Sequence, residues 1–295
     1  MKFIYACDIH GDEYKYKNLL EIANKEKIKY LVLGGDLLPK ECGDRVNEQK
    51  IFINDYLNEY FNKLKDNDIK CICILGNDDL EILDKEFNTI CKKHDNVFNI
   101  DQRKANFGDV TFIGLSKVLD HPFGCKDRVV TEEGLDMPFQ LSSIIYVDKC
   151  RNMLSVDEWN DYRNNIEKME NVLEKLPKAK KGNKIIYVFH NPPYGLGLDV
   201  CRDKRQVGSK AITRFLEKSN AYMSLHGHIH ESYRVTGIWK NELSGTICIQ
   251  TGQTERHSKD MFYAIVDTDT NYNDLYVFKG WNMNEKNKLI LLYKR

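Results

Sequence analysis

Five short polar clusters in this 295-residue chain combine residue types that can do chemistry: Asp8-Ile9-His10, Gly35-Asp36, Gly76-Asn77-Asp78-Asp79, His190-Asn191 and His226-Gly227-His228-Ile229-His230. Carboxylate, imidazole and amide oxygen are donors that borderline and hard divalent ions accept. A carboxylate has two oxygens, so one aspartate can be shared between two ions. In Asp8-x-His10 and His228-x-His230 the intervening residue points away, letting two side chains leave the backbone in nearby directions. The glycines permit tight turns and close backbone approach. Taken singly, Asp-Ile-His, Gly-Asp and Gly-Asn-Asp-Asp read as ordinary turns, with Asp79 suited to cap a following helix. The last cluster does not, because three of the chain's eight histidines fall within five residues. All five occur in order, each after an apolar run, and together they point to a metal centre.

The elements that must position these clusters can be read from hydrophobic period. Residues 2–7, 30–33 and 71–75 are short apolar runs that read as buried strands, each ending in one of the first three clusters. Residues 15–24 and 49–64 carry apolar positions at three- and four-residue spacing and read as the helices between them. This βαβαβ order predicts a sheet with helices on its faces, and in such sheets ligands bind at the carboxyl ends of the strands. Residues 184–189 and 222–225 read as strands running into the two histidine clusters, with a Ser209-capped helix over 209–218 between them. Residues 110–115 read as a strand, 116–155 as a long loop or insertion, and 156–176 as one helix closed by Pro177. After His230 the pattern is β-rich: 233–238, 246–249, 261–267, 275–279 and 289–293. The whole predicts one domain, 1–295, with a two-sheet α/β sandwich core. The 116–155 insertion is expected to cover the site and set specificity.

The bulk properties bound the function. Lys+Arg and Asp+Glu are both 44, so nothing draws the chain as a whole toward polyanions, and long nucleic acid is disfavoured as a partner. No stretch approaches the ~18 apolar residues of a membrane span, and the N-terminus reads as a first strand, not a signal peptide. The nine cysteines form no CxxC pair; they are expected to be reduced and structural, in a cytoplasmic protein. Cys71 and Cys73 should share a strand face, and Cys7 should point away from Asp8. The apolar tail 289–293 reads as an edge strand, with an oligomer contact as the alternative.

The order Asp8-x-His10, Gly35-Asp36, Gly76-Asn77-x-Asp79, His190, Gly227-His228-x-His230 resembles the calcineurin-like metallophosphoesterase superfamily, from residue 1 to about 267. A closer likeness is to the predicted phosphoesterases related to Icc cyclic-nucleotide phosphodiesterases. It rests on His190-Asn191-Pro192-Pro193-Tyr194-Gly195, Leu198-Asp199, Val207-Gly208-Ser209-Lys210, Gly227-His228-Ile229-His230-Glu231-Ser232 and Gly252-Gln253. The resemblance implies an α/β fold, a four-layer αββα sandwich of two mixed β-sheets flanked by helices. It implies one divalent metal on Asp8, His10, Asp36 and His230, and a second on Asp36, Asn77, His190 and His228, with a shared water or hydroxide; Mn is favoured among Mn, Fe, Zn, Co and Ni. A water so held is a hydroxide near neutral pH, so no protein nucleophile is needed.

The chain departs from the family pattern at Asp78, where many members carry a histidine that contacts the phosphate and helps protonate the leaving oxygen. An ionised Asp78 would repel phosphate; a protonated one needs a raised pKa. Either substrates with good leaving groups are preferred, or another residue supplies the acid or phosphate contact. His226, His257, Arg202, Lys204 and Arg205 are the candidates. The expected function is hydrolysis of a small phosphoester or nucleotide-like substrate, with a diester favoured. The alternative is a catalytically weak scaffold or protein-binding module on the same fold.

Overall fold

The computed structural model describes residues 1–40, 43–135, 139–140, 144–149, 151–253, 258, 260–270, 272–278 and 289–291. The chain begins β1 (Lys2–Ala6), α1 (Glu13–Lys25), β2 (Tyr30–Gly34), α2 (Arg45–Ile51), α3 (Asn58–Asp66), β3 (Lys70–Ile74), α4 (Asp84–Lys93), β4 (Val97–Asn99), β5 (Lys104–Phe107) and β6 (Val110–Leu115). The insertion contributes β7 (Val118–Leu119), β8 (Val129–Val130), β9 (Ile145–Val147) and β10 (Asn152–Leu154), followed by α5 (Val156–Tyr162) and α6 (Met169–Glu174). Then come β11 (Lys184–Phe189), α7 (Lys210–Ser219), β12 (Met223–His226), α8 (Ser232–Thr236), β13 (Lys240–Leu243), β14 (Thr246–Gln250), β15 (Met261–Asp267), β16 (Tyr272–Phe278) and β17 (Leu289–Leu291).

Strands β1, β2 and β3 are buried at every position after the first, as strands covered on both faces must be. They run parallel with β4 beside β3, and β15, β16 and β17 extend the sheet antiparallel beyond β1, giving the order β17-β16-β15-β1-β2-β3-β4. A second mixed sheet has the order β13-β14-β12-β11-β6-β5, its four central strands parallel. Phe3, Tyr5, Val32 and Ile72 of the first sheet pack on Phe112, Ile186, Val188 and Leu225 of the second. The outer face of the first sheet is covered by Tyr16, Leu19, Phe61 and Phe87 of α1, α3 and α4. The outer face of the second is covered by Met169, Val172, Ile212 and Leu216 of α6 and α7. The result is the expected αββα sandwich. The parallel strands of both sheets end at one edge, and the polar clusters meet there.

Several sequence expectations are corrected. Residues 233–238 are not a strand: α8 turns there and is closed by Gly237 in the left-handed region (φ 74°), while the strand lies further on, at β13. The helix expected over 49–64 starts earlier, at Arg45, and passes through a π-helical turn over Phe52–Leu57. The helix expected over 156–176 breaks in two. The Glu167 carbonyl accepts from Thr131 N–H and the Met169 N–H donates to Thr131 O, so this stretch pairs with the insertion instead of continuing the helix. The insertion is not irregular throughout: β7 pairs with β8 and β9 with β10, over a small core of Val118, Val129, Ile145, Val147 and Trp159. Ser209 caps α7 as expected, its Oγ accepting from Ile212 N–H at 3.0 Å. The tail strand β17 pairs with β16; Leu292 and Tyr293 lie outside the described residues, as does Lys279.

The seven described cysteines are free thiols, with Cys71 and Cys73 on the same face. Among the described residues no helix is long and apolar enough to cross a membrane.

Candidate metal centre

The loops after the strands are tied to one another by backbone hydrogen bonds before any side chain is considered. Asp8 N–H donates to Gly35 O at 3.0 Å, His10 N–H to Asp36 O at 2.8 Å, and Gly227 N–H to His190 O at 3.0 Å. Asp79 is not a helix cap. Its buried carboxylate accepts from Leu37 and Leu38 N–H at 3.0 and 2.8 Å and from Gly76 N–H at 2.8 Å, clamping the loop after β2 to the loop after β3. Burial, with the nearby Asp36 charge, pushes its pKa up to about 7.

Asp8, His10, Asp36 and His230 each offer a donor atom within 4.8 Å of the others. His10 Nε2 and His230 Nε2 face each other at 3.1 Å, and His230 Nε2 lies 3.4 Å from Asp8 Oδ1. A second group adjoins it. Asn77 Oδ1 lies 3.1 Å from His190 Nε2 and 2.6 Å from His228 Nδ1. Asp36 stands between the two groups: its Oδ2 is 3.7 Å from His10 Nε2 and 3.4 Å from His190 Nε2, while Asp78 N–H holds its Oδ1 at 2.8 Å. Donors about 2.1 Å from a shared ion and separated by 90–110° lie about 3.0–3.4 Å apart, a range that holds four of these spacings, with His228–Asn77 shorter and His10–Asp36 longer.

Three further observations fit divalent ions. First, Asp8 and Asp36 are 1% exposed, and Asp8 Oδ2 is buried without a hydrogen-bond partner; buried carboxylates need compensating charge. Without a cation, imidazoles supply it. Burial alone would lower the His190 pKa, but the carboxylates of Asp36 and Asp8 outweigh it and hold it at about 9, and Asp8 raises His230 in the same way. Second, Asp8, His10, Asp36 and His228 all have φ between 50° and 73°. Non-glycine residues in this region carry strain, which concentrates at functional sites. Third, a Cβ on Gly76 would sit 2.2 Å from Asp36 Oδ1 and 2.7 Å from His190 Nε2, and one on Gly35 would sit 2.4 Å from His190 Nδ1. The backbone therefore approaches the donors as closely as only glycine allows.

Beside the centre opens a cavity of about 730 Å³, lined by His228 and Ile229, by His121 from the insertion, and by Tyr194, Lys204 and Arg205. The insertion reaches the centre directly, with the His121 and Phe123 rings 5.2 and 6.0 Å from that of His228. It is fixed by buried Asp120, whose carboxylate contacts Lys126 at 2.8 Å, Trp159 Nε1 at 3.0 Å and Arg163 at 3.4 Å.

The remaining sequence candidates separate. Lys204 and Arg205 line the cavity, though Arg205 is paired with Asp203 at 2.7 Å. Arg202 is exposed, its backbone N–H on Glu231, and is not part of the cavity lining. His226 is not part of the cavity lining. It is fully buried, its Nδ1 3.1 Å from the carbonyls of Phe189 and Asn191, and burial lowers its pKa to about 4; it braces the ends of β11 and β12 instead. His257 lies outside the described residues. Cys7 points away from the site, 3.5 Å from Thr251 Oγ1, and burial pushes its thiol up.

Asp78 is ionised. Burial would raise it, but Lys40, His10 and Arg45 hold it well below the usual carboxylate range. Sequence reasoning missed Lys40, Arg45 and His121, which carry no spacing signal.

A two-sheet α/β sandwich whose parallel strands end in a histidine- and aspartate-rich cluster, beside an open cavity, defines a metal-dependent hydrolase of the phosphoesterase class. Comparison with known proteins agrees: the profile of the calcineurin-like phosphoesterases matches residues 1–232, and the chain belongs to that family of metal-dependent phosphoesterases. Two crystal structures share the fold. One, with a TM-score of 0.61, is 15% identical and covers 93% of this chain and 97% of its own. The other, TT1561 of Thermus thermophilus, has a TM-score of 0.56 at 14% identity, with the same coverage of 93% and 97%. A "Putative pre-16S rRNA nuclease" of Malacoplasma penetrans (strain HF-2) is 37% identical over 67 residues, 23% of this chain. The match spans 44% of that protein's length.

Proposed function

We propose that this chain hydrolyses small phosphoesters, with a diester or an activated monoester as substrate, at a centre holding two divalent ions. Asp8, His10, Asp36 and His230 would hold one ion, and Asp36, Asn77, His190 and His228 the other. The all-oxygen-and-nitrogen donor set suits manganese. The observation that carries this reading is the position of Asp36 Oδ2, within 3.7 Å of a donor in each group. When bound, such ions supply Lewis-acid charge on phosphoryl oxygens and lower the pKa of water.

The chain's own residues set the stage. Asp78 N–H fixes Asp36 Oδ1, leaving Oδ2 directed at both groups. Asp79 keeps the two loops from separating. Cys201, the thiol beside the cavity, is pushed up to about 11 by burial and by Glu231, so it is no thiolate at neutral pH. The non-phosphate part of the substrate would occupy the 730 Å³ cavity, where the insertion forms a wall that selects it and His121, Tyr194 and Lys204 contact it. The chain would act as one domain carrying that insertion.

The test is metal analysis of protein purified without chelator, then turnover of a panel of phosphomono- and phosphodiesters with added Mn. Metal-stimulated hydrolysis is expected. Protein that neither retains metal nor turns over any ester with Mn would contradict the proposal.

A further inference from the structure

Asp78 stands where the family pattern carries histidine, yet its surroundings are cationic. Its Oδ2 lies 2.6 Å from Lys40 Nζ and its Oδ1 3.0 Å from Arg45 Nη2. Arg45 and Gln49 also donate to its carbonyl oxygen, and its own N–H holds Asp36. Two cations around one anion leave the group with a net charge of about +1, the sign a phosphate seeks. The repulsion expected of an aspartate at this position is therefore more than offset.

The two cations are not equivalent. Arg45 is engaged twice by Asp78, at the carbonyl and at the carboxylate. Lys40 has a side chain 41% exposed, and among the described residues Asp78 is its one partner. An ammonium has three donors, so Lys40 keeps two for a ligand. It also stands near the centre: the residue it holds, Asp78, donates its backbone N–H to Asp36 Oδ1 at 2.8 Å. Of the cavity cations, Arg205 differs from it in being held by Asp203 on the surface.

We propose that Lys40, oriented by Asp78, grips the phosphoryl oxygens of the substrate at the metal centre, so that an ammonium takes over the phosphate contact of the imidazole missing at position 78. Asp78 is then a positioning residue and Lys40 a binding one; no proton is transferred in this role. Burial would lower the lysine's pKa, but Asp78 and Asp36 hold it above its ordinary value, so Lys40 is a standing cation at any working pH. The inference rests on the phosphoesterase reading above.

The experiment uses Mn-loaded full-length protein and two readouts, calorimetric affinity for inorganic phosphate and kinetics on bis(p-nitrophenyl) phosphate, with metal content measured for every variant. Lys40→Met should keep its metal and lose roughly 10- to 100-fold in both phosphate affinity and kcat/KM, the range for a charged hydrogen bond. Lys40→Arg should recover most of the phosphate affinity. Asp78→Asn should split the parameters: KM holds or falls, because the positive charge remains, while kcat drops because Lys40 is no longer aimed. Phosphate affinity of Lys40→Met within twofold of wild type would overturn the proposal. So would a loss of activity that tracks a loss of bound metal, or an Asp78→Asn variant with unchanged kcat. If the wild type hydrolyses no ester, the functional reading fails, and the phosphate titration still decides the fate of Lys40.

Discussion

Gly76→Ala is a one-carbon change whose effect can be worked from the geometry. The added Cβ would lie 2.2 Å from Asp36 Oδ1, 2.4 Å from Asp36 N and 2.7 Å from His190 Nε2. Ordinary contact between such atoms begins near 3.4 Å, so Asp36 must retreat by roughly 1 Å. It cannot rotate freely, because Asp78 N–H holds its Oδ1 and His10 N–H is bonded to its carbonyl. The backbone must yield, at about 1–3 kcal/mol for an overpacked site. A displacement of about 1 Å at a catalytic group costs on the order of 100-fold in rate, and under the two-ion proposal it would reach both sites at once through Asp36. The assays are metal content, urea denaturation and kcat/KM for a phosphodiester, with Gly43→Ala, whose Cβ would meet nothing within 4 Å, as the control. Gly76→Ala with normal metal content and kcat/KM within threefold of wild type would refute the reasoning, because it would mean the donors do not crowd the backbone as described.

Other outcomes follow from the same geometry. Metal binding should expel protons, because His190, held at about 9, carries one at pH 7.5 in the metal-free protein. Affinity for Mn should therefore rise with pH up to about 9 and level off above it. Titration heats in Pipes and Tris should differ by the number of protons released times the difference between the buffers' ionisation enthalpies; identical heats would contradict this. Asp120→Asn leaves Lys126 and Arg163 buried around a neutral amide, a loss of about 3–5 kcal/mol. The insertion should then be cut faster by protease and KM should rise; an unchanged cleavage rate within 116–155 would show that Asp120 does not fix that wall.

Much of the site was legible in the sequence because its donors sit at the ends of apolar runs, and strand ends at one sheet edge converge by topology alone. The clusters that contain Asp8, Asp36, Asn77, His190 and His228 follow from that rule, while the choice of donors within them rests on the family resemblance. The surroundings were less legible for identifiable reasons. Lys40 and Arg45 are single cations in a polar stretch, and only the fold brings them to Asp78. His121 lies in an insertion with no periodicity, yet its ring reaches His228. The alternation of Tyr233, Val235 and Gly237 imitates a strand, but Gly237 ends a helical turn there and Ser232 bonds across to Gly197 and Val200. The break near Glu167 was hidden because its cause, pairing with Thr131, is a contact 36 residues away in the chain.

Metal stoichiometry bears most directly on the central claim that Asp36 is shared by two ions. Full-length protein stripped of metal, reloaded with Mn and freed of excess should hold close to two ions per chain. Asp36→Asn, which weakens the shared ligand while keeping its shape, should fall well below one and lose turnover with it. A wild type saturating at one ion, or an Asp36→Asn variant that still binds two and turns over, would contradict the account.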